Sequence, residues 1–195
     1  MESTPFTIEE QANIRNRTAR SLLWVGIVSI IMLFAGLTSG YIVRQAEGDW
    51  LEIEMPFAFW VSTVIILVSS VSMWWGKRAI KNGDVKTLNL ALSITLALGI
   101  AFGFAQYWSW NQLIAGGVYM TGPNANVAGS FLYVIPGLHM FHVLFGLLSL
   151  AFTRYKAGKG AYTQSEHLGV DLTATYWHFM DFLWVYLFFF LLYIR

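Results

Sequence analysis

The chain has 195 residues, of which 56% are hydrophobic, 17% aromatic and only 12% charged, with a formal net charge of +1. A soluble domain of this length cannot hide so much apolar surface around one core, so lipid is the expected solvent and nucleic acid is not an expected partner. The sequence contains no cysteine, which excludes disulfides, thiolate metal sites, iron–sulfur clusters and cysteine-attached haem.

In chain order, residues 1–21 read as a polar, amphipathic tail, and five apolar stretches follow at about 22–43, 57–76, 88–108, 128–152 and 174–194. Each has about the 20 residues that a helix rising 1.5 Å per residue needs to cross some 30 Å of hydrocarbon. The sequence therefore predicts an all-α membrane protein: a cytoplasmic tail over 1–21 and a single transmembrane domain of five helices over 22–195. The first apolar run is too long, and begins too late, for a cleaved signal peptide. No internal repeat of the kind found in inverted-repeat transporters is visible.

Arg15, Arg17 and Arg20 precede the first span; Lys77, Arg78, Lys81 and Lys86 lie between the second and third; Arg154, Lys156 and Lys159 lie between the fourth and fifth. Those are ten of the twelve basic residues, and they all fall on one side. The other side has Arg44 and Arg195, with Glu47, Asp49, Glu52 and Glu54 in its first loop. The positive-inside rule then puts the amino terminus in the cytoplasm and the carboxyl terminus in the periplasm.

Within the spans, Gly36 and Gly40, and Gly99 and Gly103, are small residues four apart, a spacing that lets helix backbones approach closely in lipid. Ser69, Ser70 and Ser72 can bond back to their own helix or across to a neighbour. The chemistry-bearing residues are His139 and His142 on the fourth span and Tyr176, Trp177, His178 and Asp181 on the fifth. Residues three apart share a helix face, which pairs His139 with His142 and His178 with Asp181. Counting ~1.5 Å per residue places His142, His178 and Asp181 at similar depth. A polar cluster between the fourth and fifth spans is the expectation.

An ionised Asp181 facing hydrocarbon would cost at least ~2.5 to 3.5 kcal/mol, so it must face protein and hold a partner or a proton. Proton relay, metal ligation and haem ligation are the functional readings; a hydrogen-bonded knot that fixes helix register is the structural one. No second carboxylate, cysteine or further histidine completes a metal shell, which favours the knot. A bis-histidine haem between His178 and His139 or His142 would leave one haem with no second site to pass electrons to. At the span ends, Trp74 and Trp75 with Lys77, Arg78 and Lys81 form a candidate set for contact with lipid headgroups. Ordinary interfacial anchoring explains the same residues.

Two stretches go further than composition or spacing can. Gly137-Leu138-His139-Met140-Phe141-His142-Val143 with Gly146, and Tyr176-Trp177-His178-Phe179-Met180-Asp181-Phe182-Leu183-Trp184, resemble the most recognisable segments of subunit III of haem-copper cytochrome c oxidases. Met32-Leu33-Phe34-Ala35-Gly36-Leu37 with Tyr41-Ile42 resembles that family's third helix, and Pro56 with Ser69-Ser70-Val71-Ser72-Met73 its fourth. Gln106 resembles the end of the fifth, while Gly116-Gly117-Val118-Tyr119 and Gly129-Ser130-Phe131 resemble the stretch before the double-histidine helix. The likeness runs in order from Arg20 onward.

Longer members have seven spans; this chain resembles the short bacterial form with five. The resemblance implies an accessory role in a proton-pumping terminal oxidase of a bacterial inner membrane, with no catalytic centre in this subunit. It implies haem and copper in partner subunits, none held here, and packing against subunit I in a complex that also contains subunit II. It also implies a bound phospholipid. On that reading His139, His142, Tyr176, His178 and Asp181 are structural. Two positions depart from the family pattern: Ile30 stands where an intramembrane glutamate is common, and Ser109 where a Gln-x-x-Glu motif has its acid. Both count against direct proton handling. A stand-alone membrane cytochrome or redox-linked proton carrier using His139, His142 and His178 is the alternative. The electron donor, cytochrome c or quinol, is set by another subunit, and membership of a larger respiratory supercomplex stays open.

Overall fold

A computed structural model describes residues 7–47, 50, 53–123 and 125–194, the side chains of Ile8 and Glu9 excepted. Asp49 and Glu52 of the acidic loop, and Arg195, lie outside the described residues. Five helices make up the fold: α1 (Ile8–Gln45), α2 (Phe57–Lys81), α3 (Val85–Ala115), α4 (Val127–Gly158) and α5 (Leu168–Tyr193). All five are long and apolar enough to cross a membrane, and no strand occurs among the described residues.

Helix ends follow local chemistry more than hydropathy. α1 begins at a capping box in which the Glu10 amide donates to Thr7 Oγ1 at 3.3 Å and the Thr7 amide donates to Glu10 Oε2 at 2.8 Å. It then runs unbroken for 38 residues, about 57 Å, so Arg15, Arg17 and Arg20 ride on a helical extension of the first span. α2 ends at Lys81, and a three-residue turn with Gly83 at φ +78 reverses the chain into α3, where Asp84 caps by accepting from the Thr87 amide at 3.0 Å. Only glycine adopts that left-handed conformation without strain. At the far end of this hairpin the Gln112 Oε1 of α3 accepts from the Ala58 amide at 3.2 Å, serving a helix start that has no side-chain cap of its own.

α2 packs on α3, α3 on α4, α4 on α5, and α5 closes back on α2, making a ring of four. α1 lies outside the ring, against α4 and α5 only. The two glycine pairs separate accordingly. A Cβ at Gly99 would come within 2.6 Å of the Trp177 ring and 2.7 Å of Leu147, and one at Gly103 within 3.5 Å of Met140. At Gly36 and Gly40 it would meet nothing within 4 Å. The first pair is a packing device inside the chain, and the second faces outward.

Candidate functional site

The core of the ring is aromatic, and hydroxyls from α2 give its polar atoms somewhere to go. Trp177, almost fully buried, sits against Gly99 and Gly146 and donates its indole N–H to Ser69 Oγ at 2.8 Å. Trp184, one heptad later, stacks on Phe59 with ring centroids 5.9 Å apart and donates to Thr63 Oγ1 at 3.0 Å. Ser70 Oγ meets His178 Nδ1 at 2.7 Å, Gln106 Nε2 donates to Ser62 Oγ at 2.8 Å, and Ser72 and Thr95 share a hydrogen bond of 2.7 Å. Each is a buried donor or acceptor that would otherwise cost about 1–3 kcal/mol. The serines of α2 therefore bond across the bundle, and α2 takes the indoles and the imidazole of α5, while α4 meets α5 through Ser149 and Thr153 on Thr173 at 3.0 and 2.8 Å.

This divides the residues that the sequence grouped. His178 and Asp181 stay together, with Nδ1 4.0 Å from Oδ2, and turn toward α2. His142 Nδ1 bonds the Leu138 carbonyl of its own helix at 2.7 Å, and Tyr176 Oη donates to the His142 carbonyl at 3.0 Å, the one hydrogen bond that ties these two motifs. His139 is wholly buried with neither ring nitrogen hydrogen-bonded; its neighbours are the rings of Phe34, Phe102 and Trp184 at 6.4, 6.0 and 5.1 Å. His139 and His142 both border Phe34 of α1, and so they help seat α1 on the ring.

The imidazoles do not face one another across a common space, so they do not fit a haem ligated by His178 and a histidine of α4. Among the described residues no three histidine, cysteine, aspartate or glutamate side chains come together in a way that could hold a metal ion.

Further polar contacts mark the end of the bundle that holds the basic loops. Lys77 Nζ pairs with Asp171 Oδ1 at 3.1 Å, with His167 3.6 Å from the other oxygen. Arg154 donates to Ser93 Oγ at 2.7 Å and Asn89 Oδ1 at 3.1 Å, joining α4 to α3. Burial pushes the Tyr162 phenol in the α4–α5 loop above its ordinary value. Of the five interfacial residues, Trp74 and Trp75 are exposed, Arg78 lies over the Trp74 ring at 5.6 Å, and Lys77 and Lys81 line a groove of about 300 Å³ with Arg20 and Trp24. Sequence reasoning missed Ser62, Thr63 and Asp171, and named Gln106 and Arg154 without giving either a place in the packing. The hydroxyls at 63 and 69, six apart, and the indoles at 177 and 184, seven apart, were a usable signal for two facing helices, since each indole bonds one of those hydroxyls.

The sequence model of cytochrome c oxidase subunit III matches residues 51–195, which takes in four of the five helices and every hydroxyl–aromatic pair of the seam. The chain belongs to the cytochrome c oxidase subunit III family. Among its relatives, cytochrome c oxidase subunit 3 of Synechocystis is 32% identical over 83% of this chain and 70% of its own length. That of Corynebacterium diphtheriae is 31% identical over 81% of this chain and 79% of its own length. The pig protein of the same name is 35% identical over 70% of this chain but only 49% of its own length. Membership in the subunit III family agrees with the motifs around His139 and His178, and it makes the chain a multi-pass membrane protein of a respiratory oxidase family.

Proposed function

We propose that this chain is the non-catalytic accessory subunit of a proton-pumping terminal haem-copper oxidase in a bacterial inner membrane, with its amino terminus in the cytoplasm and its carboxyl terminus in the periplasm. The observation that supports this best is how the histidine and aromatic motifs of the family are spent: indole and imidazole groups go to α2 hydroxyls and to ring contacts, which lock the helices of one bundle. Such a bundle offers a partner a rigid surface. The exposed apolar face of α1, with Leu22, Val25, Val28 and Met32 outward, supports packing against a large membrane subunit, subunit I, in a complex that also contains subunit II. Haem and copper belong to those partners.

Phospholipid is the proposed ligand of this subunit. The groove at Arg20, Lys77 and Lys81 would take a headgroup phosphate at the cytoplasmic boundary, with Trp24 beside it. Mild detergent purification through a tag on this chain tests the reading. Co-elution of a haem-bearing subunit with stoichiometric phospholipid is expected. A chain that elutes alone and carries its own Soret band, abolished by His142→Ala, would establish the stand-alone cytochrome instead.

A further inference from the structure

Among the described residues, two buried ionisable side chains are left without hydrogen bonds, His139 among aromatic rings on the α1 side and Asp181 in the seam. Asp181 is 3% exposed, lies in the middle of α5, and neither of its carboxylate oxygens accepts a hydrogen bond. Ionisable side chains inside a membrane are expensive to keep, and as a rule they mark ion or proton pathways. Asp181 has the neighbours for one. Ser70 Oγ and His178 Nδ1 are 2.7 Å apart, and the same nitrogen is 4.0 Å from Asp181 Oδ2, so a hydroxyl and an imidazole flank the acid. The His178 side chain is 35% exposed against 4% for Asp181, so the imidazole reaches from the surface of the seam to the buried carboxylate.

The seam also has a polar end. Ten residues, or ~15 Å along the helix, separate Asp181 from Asp171. There the groove lined by Arg20, Lys77, Lys81, Asp171 and Thr175 opens at the level of the basic loops. Thr175 at its floor is one turn from His178.

We propose that Ser70, His178 and Asp181 form a proton-exchanging site inside the membrane, loaded from the end of the bundle where Lys77 meets Asp171. In the uptake direction a proton arrives at His178 Nε2 from the groove side. The Nδ1 proton passes to Ser70 Oγ, and the serine hydroxyl, bonded to His178 at rest, turns to give its own proton to an Asp181 oxygen, leaving neutral imidazole and a neutral carboxylic acid. Release is the reverse. The charged and titratable groups at the groove end of the seam are Lys77 and Lys81 of α2, Arg20 of α1, Asp171 of α5 and His167 beside it. From α4, His139 and His142 turn to the Phe34 side and take no part. The site is complete within this chain, so it stands or falls separately from the identity of the partner complex.

Infrared difference spectroscopy of the detergent-purified assembly containing the full chain, recorded between acid and alkaline buffers in H2O and D2O, tests it. A carboxylic-acid carbonyl band that titrates, moves in D2O and is lost in Asp181→Asn is expected. Deuterium exchange of that band should slow in His178→Phe on the order of a hundredfold, the low end of what a positioned proton-transfer group contributes. A band that does not change with pH, no band lost in Asp181→Asn, or the same exchange rate in His178→Phe would each overturn the proposal. Should Asp181→Asn fail to assemble, Asp181→Glu, which keeps a carboxyl group and shifts its carbonyl band, identifies the band, and the His178→Phe comparison decides alone.

Discussion

Helix α1 and the α2–α5 seam are both apolar helix surfaces with small residues at helical spacing, and the chain uses them in opposite ways. In the most apolar stretch of α5 half the residues are buried inside the chain; in α1 the figure is 17%. The seam spends its serines and threonines on the indoles and imidazole of α5, whereas Gly36 and Gly40 of α1 meet nothing. Lipid gives no hydrophobic reward for bringing two such surfaces together, so close packing and interhelical hydrogen bonds have to do it. The ring holds itself by these means, and α1 keeps a face for something else.

The largest expected effect lies at the centre of the seam. Trp177→Ala removes a fully buried indole that fills the space left by Gly99 and Gly146, and strands the Ser69 hydroxyl it bonded. A loss of about 3–5 kcal/mol is expected, measured as the unfolding midpoint in mild detergent. A comparable loss from Trp24→Ala, an exposed indole of α1, would break the contrast between the two regions.

That contrast was only partly legible in the sequence. The five helices followed from hydropathy because a membrane span is a statement about length and oiliness, and those are additive along the chain. Their ends did not follow: α3 starts behind its Asp84 cap and continues to Ala115, and α4 starts behind Asn126 and continues to Gly158, past the apolar stretches, because caps and backbone hydrogen bonds set where a helix begins and ends, and hydropathy does not. The site was legible as residues and not as a place. His178 and Asp181 share a face at i, i+3, but which neighbour that face meets depends on how α5 is rotated about its axis. A hairpin argument nominates α4. Tyr176 takes the α4 side, Trp177 points into the ring with its indole N–H on Ser69 of α2, and His178, some 100° further around the helix, meets Ser70 of α2.

The glycine pairs give the next prediction. Gly99→Ala forces a methyl group to within 2.6 Å of the Trp177 ring, a rigid neighbour that cannot swing away. Overpacking of that kind costs about 1–3 kcal/mol. Gly36→Ala meets open space, so the stability of the isolated chain should be unchanged or slightly raised, since alanine favours helix by about 0.5–1 kcal/mol over glycine. Co-purification sharpens the comparison. If α1 seats the partner subunit, Gly36→Leu lowers the yield of the complex and leaves the unfolding midpoint of the isolated chain alone; equal yields would show that the outward face of α1 is lipid-facing only.

A smaller effect is expected from the hydroxyls themselves. Ser69→Ala leaves the Trp177 N–H buried with no acceptor, at about 1–3 kcal/mol, less than loss of the whole indole because the ring contacts survive. Ser39→Ala, on the exposed side of α1, has no buried donor to strand. A destabilisation as large as that of Ser69→Ala would mean that α1 is held by polar contacts beyond the one that Tyr186 Oη donates to Thr38 Oγ1 at 3.3 Å.

The smallest effect is at the tip of the hairpin that presents α2 to the seam. The Asp84 carboxyl is held below its ordinary value of 3.8 by hydrogen bonds from the Thr87 side chain and amide. A carboxyl whose value is lowered by folding stabilises the fold above its ordinary value, and loses that stabilisation as pH falls through the lowered one. Asp84→Ala should therefore speed amide hydrogen exchange at Thr87 relative to the parent chain at neutral pH, by a modest factor because the cap is fully exposed. The gap between variant and parent should close as the pH drops below the carboxylate range. Asn126→Ala, which removes a neutral amide cap from α4, acts on a group that does not titrate, so comparison of the two caps separates the charge of Asp84 from its geometry. If the Asp84→Ala gap were the same in acid as at neutral pH, the hydrogen-bond geometry alone would hold the turn, and the charge would contribute nothing to presenting α2.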